Sequence, residues 1–153
     1  MQRATSDQAK ARRRAEILSE ASRYLGEADF ERFTMQALSK RLGLAKGTLY
    51  LYFETRETLF LALLDQKAQE WSQRFRQTMR ATVKSDAQWA RAYFESVLED
   101  PLFLQLVLRV DLSITPNVPV AALIAHKRLW SEVMGWVCEG TRLALAISEP
   151  KAF

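Results

Sequence analysis

The residues with the clearest chemical pattern lie between positions 45 and 52 of the 153-residue chain. Two small residues, Ala45 and Gly47, alternate here with hydrogen-bond donors, which are Lys46, Thr48, Tyr50 and Tyr52. Small side chains let a helix backbone come close to DNA, and donors of these types bind phosphate oxygens and base edges. A glycine inside so short a helix costs about 1 kcal/mol relative to alanine. Gly47 therefore indicates a close approach, either to DNA or to a neighbouring helix.

The elements around these residues are short helices. Thr34 is a suitable N-cap for a helix that carries Leu38 and Leu42 on one face until Gly43 ends it. Residues 45–51 form the next helix. Two short helices joined by a glycine-containing turn are typical of a helix-turn-helix, in which the second helix enters the DNA major groove.

The rest of the chain also has helical periodicity. No stretch alternates apolar and polar residues with β-branched enrichment, so we predict an all-α fold. The first helix is expected over residues 7–25, with Gly26 as its C-terminal stop. The later helices are expected over residues 56–84, 86–99 with Asp86 as the cap, 102–112 after Pro101, and 120–147, with a loop over 113–119.

The composition is that of an ordinary globular domain, with 48% hydrophobic and 26% charged residues. The single cysteine excludes an intramolecular disulfide and a cysteine zinc site, and we predict neither a metal nor a cofactor. No apolar stretch is long enough for a membrane span or resembles a signal peptide, so we expect a soluble cytoplasmic protein. The net charge of +4 is concentrated at the N-terminus, where Arg3, Lys10, Arg12, Arg13 and Arg14 face only Asp7. This arm suits a polyanion partner or is a solvated tail.

A longer motif points to one family. Residues 33–53 read FTMQALSKRLGLAKGTLYLYF and residues 54–60 read ETRETLF. This stretch resembles the DNA-binding signature of the TetR/AcrR transcriptional repressors, and the detailed resemblance covers about residues 11–64. It implies a helix-turn-helix domain over residues 7–60, with the motif itself at 34–53. A long helix would then lead into a helical regulatory and dimerisation domain over residues 61–153.

The resemblance also implies roles for individual residues. Thr34 and Lys46 would bind backbone phosphates, Tyr52 and Arg56 would clamp the flanking phosphates, and the small core would consist of Leu38, Leu42, Leu49 and Phe53. The full set of implied DNA-binding residues is Thr34, Ala45, Lys46, Gly47, Thr48, Tyr50, Leu51, Tyr52 and Arg56. The partners would be double-stranded DNA with an inverted-repeat operator and a second copy of the chain.

The regulatory half would, by the same resemblance, bind a small apolar effector. Aromatic residues at helical spacing could line its pocket, although such residues are more often plain core. The candidates are Trp71, Phe75, Trp89, Tyr93, Phe94, Phe103, Trp130 and Met134. His126, beside Lys127 and Arg128, is expected on the surface, and Cys138 is expected to be a small buried hydrophobe.

Family members are usually longer and end in two helices that pair across a dimer interface. This chain is therefore expected to be a truncated one, an unusually short member or one whose last helix pairs instead, and we favour truncation. The rival function is a helical protein-interaction module that uses Tyr50, Leu51 and Tyr52 as an apolar patch. Catalysis is disfavoured, because the sequence contains no GxSxG, no phosphate-binding glycine loop and no HExxH.

Overall fold

A computed structural model of the protein describes residues 2–28, 30–82 and 85–144. These residues form seven α-helices and no β-strand, which confirms the predicted all-α fold. The helices are α1 (Gln2–Glu27), α2 (Met35–Arg41), α3 (Lys46–Tyr50), α4 (Arg56–Thr82), α5 (Asp86–Leu98), α6 (Pro101–Arg109) and α7 (Val120–Ala144). In the described part of the chain, no helix has the length and apolar character that crossing a membrane requires.

The ends of α2 follow the predicted signals. The Thr34 hydroxyl accepts a hydrogen bond from the Ala37 backbone N–H at 3.1 Å, which is the expected N-cap contact. Gly43 has a φ of 64°, a left-handed conformation that favours glycine, and it ends the turn after α2. Gly26 does not end α1 as predicted, because the helix continues to Glu27.

The caps of the later helices differ in part from the prediction. Ser85, and not Asp86, caps α5, since its hydroxyl accepts from the Gln88 backbone N–H at 3.3 Å. Pro101 occupies the first position of α6, as predicted. Asp100 caps this helix by accepting a hydrogen bond from the Phe103 backbone N–H at 3.0 Å.

The segment predicted as a loop over 113–119 is mostly helical. A π-helical turn spans Val110–Ile114 and a 3-10 turn spans Thr115–Asn117, so α6 ends three residues earlier than predicted. The side chain of Ile114 is 2% exposed. Prolines and polar residues favour irregular structure over residues 113–119, but the burial of Ile114 stabilises the short helical turns. The predicted end of α7 at residue 147 lies outside the described residues.

The chain divides into two compact units. The first consists of Met1–Leu63 and Arg109–Pro119, and the second consists of Leu64–Leu108 and Val120–Phe153. The predicted division at residues 60 and 61 did not include Arg109–Pro119 with the N-terminal domain. The reason is local packing, because the Arg109 guanidinium lies 4.5 Å from the centroid of the Phe30 ring within the first unit.

Each unit has its own aromatic core. In the first, the centroid of the Phe33 ring lies 4.9 Å from that of Tyr24 and 5.0 Å from that of Phe60. In the second, the buried Trp71 stacks on Phe75 at 5.5 Å and donates its indole N–H to the Ser96 hydroxyl at 3.0 Å. A core of this kind in the first unit holds the short helices that carry the candidate site.

Candidate nucleic-acid interface

The first unit fixes α3 through a small apolar core. Leu38 on α2, Leu49 on α3 and Phe53 after α3 are all at most 1% exposed, as the sequence predicted. Leu42, predicted in the same core, is only half-buried. The turn between the helices is closed by a hydrogen bond from the Leu44 N–H to the Ser39 carbonyl at 2.9 Å. These contacts bury one side of α3 and leave its other side to the solvent.

The exposed side of α3 carries most of the predicted DNA-binding residues. Ala45, Lys46, Gly47, Tyr50 and Leu51 are exposed, whereas Thr48 and Tyr52 are half-buried. Leu51 is 79% exposed, which is unusual for a leucine beside a well-packed core. Seven of the nine predicted residues therefore lie in one short segment, residues 45–52, which has one side open to solvent.

Gly47 has no packing reason within the described residues. A Cβ atom built on Gly47 would meet no atom within 4 Å. No helix among the described residues packs closely against this glycine, contrary to that alternative. The surface of α3 at Gly47 is therefore open within the described residues.

Two cations near α3, Arg41 and Lys46, differ in whether a carboxylate holds them. Arg41 is held by Glu20 at 2.6 Å and by Glu27 at 2.7 Å, so it ties α2 to α1. The hydrogen bond from Arg41, assisted by Arg23, lowers the pKa of Glu20 against the opposing effect of burial. Among the described residues, Lys46 has no carboxylate partner and its ammonium lies 5.7 Å from the centroid of the Tyr50 ring. Its charge is therefore available to an anionic partner.

Arg56, predicted as a phosphate clamp, is engaged within the chain. Its guanidinium donates to a carboxylate oxygen of Glu57 at 3.0 Å and lies 5.6 Å from the centroid of the Phe60 ring. It lines a cleft of about 340 Å³ in the first unit. Thr34 is exposed, and its hydroxyl oxygen already serves as the α2 cap. The Thr34 hydroxyl only accepts in the cap contact and the Arg56 contact uses two of five N–H donors, so both side chains keep a donor for a phosphate.

The structure adds Lys10 and Arg14, which the predicted site did not include. An open groove of about 390 Å³ lies beside the end of α3, lined by Asp7, Lys10, Ala11, Arg14, Leu51 and Tyr52. The Arg14 guanidinium is positioned by the Phe53 ring, with 5.0 Å between guanidinium carbon and ring centroid. The uneven charge of the first 14 residues was the signal in the sequence. Only the fold shows which of those cations lie next to α3.

The residues predicted to line an effector pocket mostly pack against one another. Trp71, Phe75 and Phe103 are at most 3% exposed, while Trp89, Tyr93, Trp130 and Met134 are half-buried. Phe94 is 64% exposed, and its ring meets the Tyr93 ring edge-on with 5.6 Å between the centroids. A cavity of about 260 Å³ in the second unit is lined by Phe75 and none of the other candidates. Its remaining lining residues are Arg74, Thr78, Gln88, Arg91, Ala92, Glu95, Ser96 and Glu99.

Two predictions about single residues of α7 are wrong. His126 is 3% exposed, and its Nδ1 atom lies 2.5 Å from a carboxylate oxygen of Asp65. Cys138 is exposed and not buried. The cause is the face of α7 on which each residue lies. His126 is one turn before Trp130 and shares its face, and the two rings are in contact. Cys138 directly follows the buried Val137, and adjacent residues lie on different faces of a helix.

Comparison with known proteins agrees with this geometry. Residues 17–63 match the family model described as bacterial regulatory proteins of the tetR family. The fold is similar to the crystal structure of a TetR transcriptional regulator from Rhodococcus sp. RHA1, with a TM-score of 0.53 and 22% sequence identity over 95% of this chain and 74% of that chain. No curated protein matches the sequence. The helix-turn-helix of this chain therefore lies within the segment that is similar to the tetR family of bacterial regulatory proteins.

Proposed function

We propose that the chain is a ligand-responsive transcriptional repressor that binds an inverted-repeat operator as a homodimer in the cytoplasm. The observation that carries the proposal is the uncovered side of α3, where Lys46, Gly47 and Tyr50 are exposed in a region that matches the tetR family. One such helix per subunit would enter the major groove at each half-site.

The roles within α3 follow from exposure and chemistry. Lys46 supplies a positive charge to a phosphate, and Gly47 lets the helix backbone come close to the duplex. Tyr50, which is 38% exposed, has a hydroxyl that can reach a base edge or an adjacent phosphate. Thr34, Ala45, Thr48, Leu51, Tyr52 and Arg56 complete the proposed contact surface.

The homodimer is supported by apolar side chains left exposed in the second unit. Phe94 and Leu98 of α5 are 64% and 63% exposed, and Val120 and Ile124 of α7 are 71% and 48% exposed. Each pair is four residues apart and so lies on one face of its helix. Exposed apolar residues of this size are typical of an interface, and a second copy of the chain would cover them.

Release from DNA is assigned to a small apolar effector that binds the second unit. Within that unit, the indole N–H groups of Trp89, Trp130 and Trp136 are buried and have no hydrogen-bond partner among the residues that the structure describes. Unpartnered buried donors are costly, and a ligand with a hydrogen-bond acceptor would satisfy one of them. Binding there would shift the dimer toward a spacing that no longer fits the operator.

The test is selection of the full chain on a random duplex DNA library at near-physiological salt, followed by sequencing of the retained DNA. We expect enrichment of an inverted repeat, whose half-site spacing would report the distance between the two α3 helices. The rival function, a protein-interaction module built on Tyr50, Leu51 and Tyr52, predicts no enrichment and no salt-dependent DNA binding. That result would overturn the proposal.

A further inference from the structure

The groove beside the end of α3 combines residues from two parts of the first unit. Lys10 and Arg14 come from α1, and Leu51 and Tyr52 follow α3 directly. The two cations are one helical turn apart, so they lie on the same face of α1. Residues 10 and 14 also lie outside the matched region, which begins at residue 17. The family comparison therefore assigns them no role.

Lys10 and Arg14 differ from the neighbouring Arg12 and Arg13 in that no carboxylate among the described residues neutralises their charge. Arg12 and Arg13 form ion pairs with Glu16 at 3.3 and 2.8 Å. Lys10 and Arg14 have no carboxylate partner among the described residues, and the Arg14 guanidinium lies over the face of the Phe53 ring. Asp7 is the single acidic residue of the groove. The groove therefore carries a net positive charge.

The groove is also partly preorganised. Phe53 is 1% exposed and belongs to the core that fixes α3, so the guanidinium that stacks on it has a defined position relative to that helix. An arginine held in place loses less conformational entropy on binding, and its planar fork suits a phosphate. The half-buried Tyr52 adds a hydroxyl at the same groove.

We propose that Lys10 and Arg14 form a second DNA-contact site, which binds the phosphodiester backbone flanking the base pairs read by α3. The proposal rests on the proposed function, because it requires α3 to lie on DNA. It extends the contact surface beyond the helix-turn-helix to the basic segment of α1. The contact would be independent of base sequence, since phosphates carry no sequence information.

The expected loss of DNA affinity follows from counterion release. Each phosphate contact contributes about 0.9 to the slope of log K against log salt, so losing one contact at about 0.15 M salt weakens binding about fivefold. The experiment measures affinity of the full chain for a short duplex of random sequence between about 50 and about 200 mM salt. The variants are Lys10→Ala, Arg14→Ala, Lys46→Ala and the control Arg23→Ala.

We expect Lys10→Ala and Arg14→Ala each to weaken binding about fivefold and to flatten the salt slope by about 0.9. Arg23→Ala removes one positive charge from the far part of α1, where Arg23 is paired with Glu20, and should leave the slope unchanged. Because Arg14 packs on Phe53, Arg14→Lys is a second variant that keeps the charge. It should keep the salt slope of the original chain and bind with an affinity between those of the original chain and Arg14→Ala, because lysine keeps the charge but lacks the planar fork. Thermal unfolding would show whether either Arg14 variant is folded.

The outcomes separate this inference from the proposed function. If Lys46→Ala weakens binding while Lys10→Ala and Arg14→Ala match Arg23→Ala, the second contact site is overturned and the function of α3 stands. If none of the variants changes affinity or slope, both are overturned. Equal small losses in all four variants would show a general effect of net charge and would also overturn the second contact site.

Discussion

The ammonium of Lys46 lies 5.7 Å from the centroid of the Tyr50 ring, one turn further along α3. This contact places a charge and a phenol hydroxyl on the same exposed side of a five-residue helix. The two side chains can therefore contact one DNA segment in different ways, one through charge and one through hydrogen-bond geometry. Their separate contributions are measurable.

Replacement of the two residues should have different consequences on DNA. We expect Lys46→Ala to weaken binding to all duplexes and to flatten the salt slope by about 0.9. Tyr50→Ala should also reduce the preference for the selected sequence, by about 1–3 kcal/mol at the position that it reads. Binding titrations on selected and scrambled duplexes check both. Unchanged affinity in both variants would contradict the assignment of α3 to DNA.

Gly47 allows stability and binding to be separated. Because a Cβ at this position meets no atom within 4 Å, Gly47→Ala should stabilise the free protein by up to about 1 kcal/mol. The same methyl group would obstruct close approach to DNA, so we expect affinity to fall about tenfold, or about 1.4 kcal/mol. Thermal unfolding and DNA titration provide the two readouts.

Gly135 on α7 provides the matched control for this prediction. It is exposed, and a Cβ there also meets no atom within 4 Å. Gly135→Ala should therefore raise stability in the same way and leave DNA affinity unchanged. A Gly47→Ala variant that binds DNA as well as the original chain would show that this glycine does not face the duplex.

Asp100 should make the second unit sensitive to acid. Burial alone would raise the pKa of this carboxyl, but hydrogen bonds from the Lys67 ammonium at 2.8 Å and from the Phe103 N–H outweigh it and lower the pKa. A lowered folded-state pKa gives stability that is present above the ordinary aspartate pKa of about 3.9 and is lost as pH falls through the folded value.

The variant Asp100→Asn tests this contribution, since asparagine keeps the helix cap and removes the charge. We expect it to reduce the free energy of unfolding by about 1–2 kcal/mol at neutral pH. The difference between the two proteins should shrink as pH falls below about 4, as followed by urea unfolding. A difference that does not change with pH would show that the carboxylate charge is not what stabilises the fold.

The pair of His126 and Asp65 should be a stabilising contact within the second unit. His126→Ala removes the partner of a carboxylate that is 23% exposed and leaves space beside Trp130. We expect a loss of about 1–3 kcal/mol in the free energy of unfolding. Arg128→Ala, at an exposed neighbouring position, should change it by less than about 0.5 kcal/mol. Equal losses in the two variants would contradict a specific role for the pair.

The sequence by itself determined the fold class, the helix-turn-helix and the position of α3 in the chain. These features depend on local signals: the Thr34 cap, the left-handed Gly43 and the apolar spacing of Leu38 and Leu49 act within a few residues. Short-range backbone preferences of this kind are readable from a single chain. The similarity of this segment to the tetR family was identified for the same reason, since the matching residues are contiguous.

Only the tertiary structure decided which side chains meet across long separations. The burial of His126 depends on Asp65, which is 61 residues away in the sequence, and no local pattern encodes that contact. The packing of Arg14 on Phe53 and the placement of Arg109 over Phe30 depend in the same way on helices that come together only in the folded unit. Side-chain partners are set by packing between elements, whereas helix ends are set by neighbours along the chain.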